Sequence, residues 1–406
     1  MAAREASTLT SMTRLLQLTL LISAGLLAGL ASAWPAPAPG TFQTSVPYAI
    51  LIEAESGTVL FEKAADQLVP PSSLAKLMTA EVVFDQVALG NIKLDEEFVV
   101  SENAWRRGGA PSGGSTMYAA IHSKIKISDL LSGVVIHSGN DACIVLAEGI
   151  AGNEASFTRL MNDRARELGL DKLNFTNSTG LPDPEQRVTV RELAKLAQHI
   201  IRAYPERYKL YGEREFTWNK IRQQNRNPLL AMNIGADGLK TGFTKEAGYG
   251  LVGSAVQQGL RLIVVINGAK HEKERADEAR KLLEWGFRAF ETRLLFAEGQ
   301  TVAEAKVYGG AKGRVALLGK GPINLMVPRG VSDRISAKVV YTGPVRAPVQ
   351  QGQPIGKLQV WRNDTLALEV PLQAAEDIGT GNTTQRAFDA ASELLIGVVR
   401  SGFGKL

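Results

Sequence analysis

Ser73-Leu74-Ala75-Lys76 sets a hydroxyl and an amine three residues apart, a spacing that on a helix puts both on one face within a turn. A serine so placed can serve as a nucleophile and the lysine as its base. The pattern recurs as Ser123-Lys124-Ile125-Lys126, so the tetrapeptide alone decides nothing. Context separates the two. Ser73 follows Pro70-Pro71 and opens a helix, whose free N–H groups and positive dipole end favour an anion, whereas Ser123 lies in a lysine-rich stretch that reads as solvated. Two more clusters follow along the chain, Ser138-Gly139-Asn140 and Lys240-Thr241-Gly242. Ser101-Glu102-Asn103 competes for the middle place, but a helix cap or turn suits its serine and asparagine better.

Together these residues describe acyl transfer. Ser73 must lose a proton to attack a carbonyl, and Lys76 can take it only if its pKa falls well below about 10.4, through burial and a second cation such as Lys240. Ser138 can relay the proton to a leaving nitrogen. The amide of Asn140 can position Lys76 and bond a substrate amide. Lys240 and Thr241 offer a cation and a hydroxyl to a substrate carboxylate, and Gly242 lets a substrate backbone pair along the strand edge. The backbone N–H groups of Ser73 and Phe243 are the natural oxyanion donors. Taken singly, each residue reads equally well as cap, core or surface; the combination does not.

The elements that must hold these groups are legible in the apolar spacing. Tyr48 to Glu53 alternates and turns at Glu55-Ser56-Gly57 into Thr58 to Phe61, which predicts a hairpin. Pro70-Pro71-Ser72 stops the extended chain, and Leu74, Leu77, Met78 and Val82 start a helix at Ser73. Helical periods fill residues 129–170, broken at Gly152-Asn153, and a second hairpin turns at Gln257-Gln258-Gly259 before an amphipathic helix over 272–290. Strands at both ends with helices between predict an α/β unit over 45–292 whose first and last strands share a sheet. Short strand-like runs divided by Gly and Pro then predict an all-β domain over 293–378. In the last segment, 379–406, Phe388, Ala391, Leu395, Val398 and Phe403 recur at spacings of three or four. That is an amphipathic helix on a surface, either a membrane or, because Ile396 falls on the polar side, the protein itself.

At the other end, Arg4 and Arg14 precede an apolar stretch from Leu15 to Leu30, and Ala31-Ser32-Ala33 supplies a cleavage pattern. Residues 1–33 therefore read as a signal peptide and 34–44 as a Pro/Ala spacer. A retained anchor is the rival reading, but the run falls short of the roughly 20 residues that span a bilayer. The 406 residues are 45% hydrophobic and 21% charged, which excludes a disordered chain and a polytopic membrane protein. A net charge of +5 without a basic block gives no reason to expect a nucleic-acid partner. One cysteine, Cys143, cannot form an internal disulfide and reads as a small buried residue, and the four scattered histidines lack metal-ligand spacing. No metal or cofactor is expected.

Ser-x-x-Lys, Ser-x-Asn and Lys-Thr-Gly in this order form the set shared by penicillin-binding proteins and class A β-lactamases. The chain resembles the low-molecular-mass penicillin-binding proteins that are D-alanyl-D-alanine carboxypeptidases, with the β-lactamase-like DD-peptidase fold. Pro71-Ser72-Ser73-Leu74-Ala75-Lys76-Leu77-Met78-Thr79, Ser138-Gly139-Asn140-Asp141-Ala142, Asn177-Ser178-Thr179-Gly180-Leu181-Pro182 and Asp237-Gly238-Leu239-Lys240-Thr241-Gly242 are similar to family segments. The resemblance implies removal of the terminal D-alanine from peptidoglycan pentapeptide stems through an acyl-serine. It also implies covalent inhibition by β-lactams, export to the periplasm, and anchoring on the inner membrane's outer face by the terminal helix. Carried over, Ser73 is nucleophile, Lys76 base, and Ser138, Asn140, Lys240, Thr241 and Gly242 complete the site. Arg226 and Arg275 resemble arginines near the substrate carboxylate, though a surface salt bridge would also account for either. Phe243 stands where many relatives have histidine, and Pro184-Glu185-Gln186-Arg187 lacks a common histidine. A β-lactamase needs a Glu-x-x-x-Asn carboxylate, and Asp171-Lys172-Leu173-Asn174 has the wrong acid and spacing. A DD-endopeptidase acting on cross-linked stems would use the same residues, whereas a non-catalytic peptidoglycan-binding protein would not need Ser73, Lys76 and Lys240 intact.

Overall fold

A computed structural model describes residues 42–330, 334–363 and 365–387. The expected signal peptide and most of the spacer and terminal helix lie outside the described residues. The expected first hairpin is present as β1 (Tyr48–Glu53) and β2 (Val59–Lys63), and the later strands are β3 (Ala236–Thr244), β4 (Gly248–Gln257) and β5 (Leu260–Ala269). They form one antiparallel sheet in the order β2-β1-β5-β4-β3, so the first strand pairs with the last, as the α/β reading requires.

Both faces of this sheet are covered, which is why β1 and β5 read as nearly continuous apolar runs. Ile50, Ile52, Ile263 and Val265 face a helical layer that includes α1 (Lys76–Ala88), α2 (Asn140–Ala151), α3 (Glu154–Glu167) and α4 (Val190–Ala203). Ala49, Leu51, Leu262, Val264 and Ile266 face α5 (Glu272–Ala289) through Ala279, Leu282 and Leu283. The helix boundaries follow local chemistry. Gly152 ends α2 with φ +77, Asn153 caps α3 by accepting from Ser156 N at 2.8 Å, and Thr189 caps α4 through Glu192 N at 3.1 Å. Ser101 caps the short helix Glu102–Gly108 by accepting from Ala104 N, the role read for it from the sequence.

The C-terminal region is all β. Its strands are β6 (Phe290–Phe296), β7 (Ala303–Tyr308), β8 (Arg314–Leu318), β9 (Ile323–Pro328), β10 (Ile335–Tyr341), β11 (Val345–Arg346), β12 (Pro354–Arg362) and β13 (Thr365–Ala374). Six of them make a sheet in the order β10-β12-β13-β8-β7-β11, and β6 pairs with β9. Strand β6 departs from the expectation of a helix to residue 290 and a break near 292. It continues directly from α5 because Phe290 and Met326 bury against the α5 side of the main sheet, so the β region begins within that core. Residues 383–387 start a helix. Asn382 Oδ1 accepts from Gln385 N and Gln385 Oε1 accepts from Asn382 N, each at 2.9 Å, a reciprocal cap. No helix among the described residues is long and apolar enough to cross a membrane.

Candidate active site

The turn that carries Ser73 is built from both sides. A tight 3-10 turn, Ser72–Ala75, leads into α1, and Asn267 of β5 donates to the Pro70 carbonyl at 3.1 Å, fixing the approach. Ser72 takes the left-handed conformation, φ +47, which L residues adopt at a cost of about 1–3 kcal/mol and which persists where packing over-determines it. Two glycines supply that packing. A Cβ on Gly180 would lie 1.9 Å from the Ser72 carbonyl oxygen, and one on Gly242 would lie 2.2 Å from Ser72 Oγ and 3.1 Å from the Ser73 nitrogen. Only bare backbone lets the Gly180 loop and strand β3 approach the nucleophile this closely.

Ser73 is half-buried, while Lys76 is 1% exposed. The Lys76 ammonium donates to Ser73 Oγ at 3.0 Å, to Asn140 Oδ1 at 2.8 Å and to the Thr179 carbonyl. Burial pulls its pKa down to about 8, and Arg226 adds to the depression, while Cys143 and Asp141 oppose it. Lys240, the second cation expected beside Lys76, is coupled to it, and the repulsion between the two charges is mutual. Lys240 is itself held well below the ordinary lysine value, by burial first and then by Lys76 and Arg226. Cys143 is fully buried and its thiol is pushed up to about 12 by that burial, which keeps it an inert core group.

A π-helical turn, Gly133–His137, delivers Ser138 in the left-handed conformation, φ +69, and α2 starts at Asn140. Ser138 is 2% exposed and its hydroxyl has no hydrogen-bond partner, a costly arrangement unless a ligand completes it. Lys240 and Thr241 are buried on β3, the edge of the sheet, where Lys240 Nζ donates to the Thr241 carbonyl at 3.1 Å. Residues Ser73, Ser138, Thr241, Gly242, Phe243, Arg226 and Arg275 line one cleft of about 670 Å³. The ten expected site residues therefore converge, Lys76, Asn140 and Lys240 forming the buried layer beneath that lining.

Arg226 makes no ion pair among the described residues, whereas Arg275, itself buried, makes one loose pair, 3.9 Å to the exposed Glu272. Arg226 donates to Ser115 Oγ at 2.8 Å and lies 3.4 Å from His137 Nε2. Arg275 is 6% exposed, its Nε has no partner, and its guanidinium sits 5.6 Å from the Tyr249 ring centroid. Phe243 stacks on the same tyrosine with centroids 4.1 Å apart and is half-exposed to the cleft.

Four contributors had no role assigned from the sequence. The Thr179 carbonyl is aimed at Lys76 by Asn177, whose Oδ1 accepts from the backbone of Thr179, Gly180 and Leu181; Asn-Ser-Thr-Gly is the visible signal for that turn. Gln186, in the segment lacking the common histidine, accepts from Thr176 N and Asn177 N and donates to the Leu181 carbonyl, closing the loop. Asp141, fully buried, accepts from Thr116 Oγ1 at 2.6 Å, Met117 N at 2.9 Å and Ala119 N at 3.0 Å. It thereby pins the loop whose Ser115 carbonyl accepts from Asn140 N at 2.7 Å and whose Ser115 hydroxyl accepts from Arg226. Glu272, the only carboxylate lining the cleft among the described residues, is the fourth.

The profile of the D-alanyl-D-alanine carboxypeptidase peptidases matches residues 36–271, and that of the penicillin-binding protein 5 C-terminal domain matches 290–380. D-alanyl-D-alanine carboxypeptidase DacC of Escherichia coli is 40% identical over 84% of this chain and 86% of its own. Penicillin-binding protein 5 of Haemophilus influenzae superposes with a TM-score of 0.74 at 37% identity, over 84% of this chain and 99% of that one. Penicillin-binding protein D2 of Listeria monocytogenes, solved in an ampicillin-bound form, superposes with a TM-score of 0.55 at 31% identity, over 61% of this chain and 99% of that one. The likeness read from the motifs and their flanking segments extends through both the α/β region and the β region, and the chain belongs to the D-alanyl-D-alanine carboxypeptidase family.

Proposed function

We infer that the protein is a penicillin-binding serine-type D-alanyl-D-alanine carboxypeptidase that removes the terminal D-alanine from peptidoglycan pentapeptide stems. The observation that carries the mechanism is the 3.0 Å bond between Lys76 Nζ and Ser73 Oγ at a buried lysine whose pKa lies near about 8. A meaningful fraction of Lys76 is then neutral near pH 7 to 8 and can take the serine proton. Ser73 Oγ attacks the carbonyl carbon of the penultimate D-alanine, and the backbone N–H groups of Ser73 and Phe243 hold the resulting oxyanion. Collapse breaks the C–N bond, and the leaving D-alanine nitrogen takes a proton from Lys76 through Ser138, whose free hydroxyl is buried beside the cleft. Water, deprotonated by Lys76, releases the shortened stem and returns Ser73. Thr241, Lys240, Arg226 and Arg275 supply the positive, hydrogen-bonding end for the substrate's terminal carboxylate.

Glu272 lines the carboxylate end of the cleft, and Asp171 to Asn174 lie outside the lining. Neither supports a water-activating acid of the class A β-lactamase kind. Export, a periplasmic location and attachment to the outer face of the inner membrane through 379–406 belong to the same reading, and the capped helix start at Asn382 agrees with a helix beginning in that segment. The test combines labelled penicillin with mass spectrometry of products from a defined pentapeptide and a cross-linked dimer. Ser73→Ala is expected to stay folded while losing both the penicillin adduct and D-alanine release, and retained release would end the serine mechanism. Cleavage of the dimer faster than of the pentapeptide would instead make the protein an endopeptidase.

A further inference from the structure

Glu272 has no place in the mechanism above, yet it lines the cleft together with both arginines. It is the first residue of α5, whose N-terminal end would by itself attract an anion. Its neighbour Glu274 is already engaged, accepting from Ser45 Oγ at 2.6 Å and Lys270 N at 2.7 Å. Lys273, also in the lining, is paired with Asp277. Glu272 makes only a loose contact, Oε1 to Arg275 at 3.9 Å, and its side chain is 75% exposed. Its carboxylate nevertheless supports the charge of both Arg226 and Arg275.

We propose that Glu272 is a specificity-determining residue: a built-in carboxylate that competes with the substrate's terminal carboxylate for Arg226 and Arg275. The proposal rests on the carboxypeptidase reading and deepens it. An anionic ligand entering this end must displace Glu272 from Arg275 and then bind beside its charge, whereas a ligand with no charge at that end does neither. Glu272 therefore lowers affinity for carboxylate-bearing ligands and narrows the advantage they hold over neutral ones. Because the group is largely solvated, the effect is modest and falls with added salt.

The experiment compares Glu272→Gln with the unmodified protein using benzylpenicillin, its methyl ester and a D-Ala-D-Ala pentapeptide. Expected is a roughly two- to fivefold faster acylation by benzylpenicillin and a matching fall in KM for the pentapeptide, both fading at high salt, with acylation by the neutral ester unchanged. Equal acceleration of ester and acid, or no acceleration of the acid, overturns the proposal. Arg275→Ala separates the carboxylate subsite from the role of Glu272. If it leaves KM for the pentapeptide unchanged, the carboxylate subsite itself is misassigned; if it raises KM while Glu272→Gln does not lower it, only the role of Glu272 fails.

Discussion

The two regions of this chain bury different things. Every buried polar or charged side chain among the described residues falls between Glu53 and Glu278, while the core of the β region, from Ala305 to Ile378, is built of Ala, Val, Leu and Ile alone. The β region is held by burial and strand pairing, terms that depend on pattern and volume and tolerate local change. The α/β region additionally removes Lys76, Lys240, Asp141 and Asn140 from water, which is tolerable only while each meets its partners. Two of the polar atoms that lack a partner, Ser138 Oγ and Arg275 Nε, belong to residues lining the cleft. Stability and chemistry are thus in competition in one region and separate in the other, and substitutions should divide accordingly.

After loss of the nucleophile itself, the largest effect on turnover is expected at Gly180. An alanine there combines φ +82 with a Cβ 1.9 Å from the Ser72 carbonyl oxygen, so the Ser72–Ala75 turn must move. Displacement of a nucleophile by a fraction of an ångström to 1 Å costs on the order of 10²-fold, and Gly180→Ala should lose at least that in penicillin acylation. Gly152→Ala is the matched control. Its φ is +77 but its Cβ would meet nothing within 4 Å, so about 1 kcal/mol of stability is lost and acylation is retained. Equal effects from the two glycines would mean that backbone strain, and not the approach to Ser72, sets the requirement.

Asp141→Asn comes next. The amide turns a donor toward at least one of Thr116, Met117 and Ala119, loosening the loop that positions Ser115, and kcat/KM should fall roughly 10- to 100-fold, the equivalent of one or two disturbed buried hydrogen bonds. A second readout separates this from simple damage. Lys76 acts as a base only when neutral, so kcat/KM of the unmodified protein rises with pH through about 8. The Asp141 charge favours protonated Lys76, so removing it makes Lys76 easier to deprotonate and moves that rise to lower pH. A profile that falls in height without moving would reduce Asp141 to a structural pin.

The same division explains what could be read from the amino acids. Strands such as Tyr48–Glu53 and Ile335–Tyr341 are visible because short runs rich in apolar and β-branched residues are bounded locally by turn residues. Ser73, Lys76, Asn140 and Lys240 are visible because the chemistry fixes their types and their order along the chain. The Thr179 carbonyl, Ser115 and Glu272 are not, because a backbone oxygen has no residue signature and an exposed glutamate at a helix start reads as a dipole partner. Strand β6 is hidden for a related reason: Phe290-Glu291-Thr292-Arg293 continues the charged pattern of α5, and only pairing with β9 makes it extended.

The smallest effect on turnover is expected in the β region. Leu358 of β12 is 1% exposed within an apolar cluster, and Leu358→Ala should cost about 2–5 kcal/mol through lost burial and the cavity left behind. Calorimetry should show a lower unfolding temperature while the acylation rate of the folded protein by penicillin stays within twofold of the unmodified chain. There is one route by which this separation could fail. Helix α5 carries Glu272 and Arg275 at one end and runs at the other into β6, whose partner β9 places Met326 in the same buried cluster as Leu262 and Leu283. If loosening the β region slows acylation, the slowing should be larger for Met326→Ala than for Leu358→Ala, because only the former touches the core on which α5 rests. Slowing by Leu358→Ala alone would contradict both the separation and the route, and would require a path from β12 to the cleft that does not pass through α5.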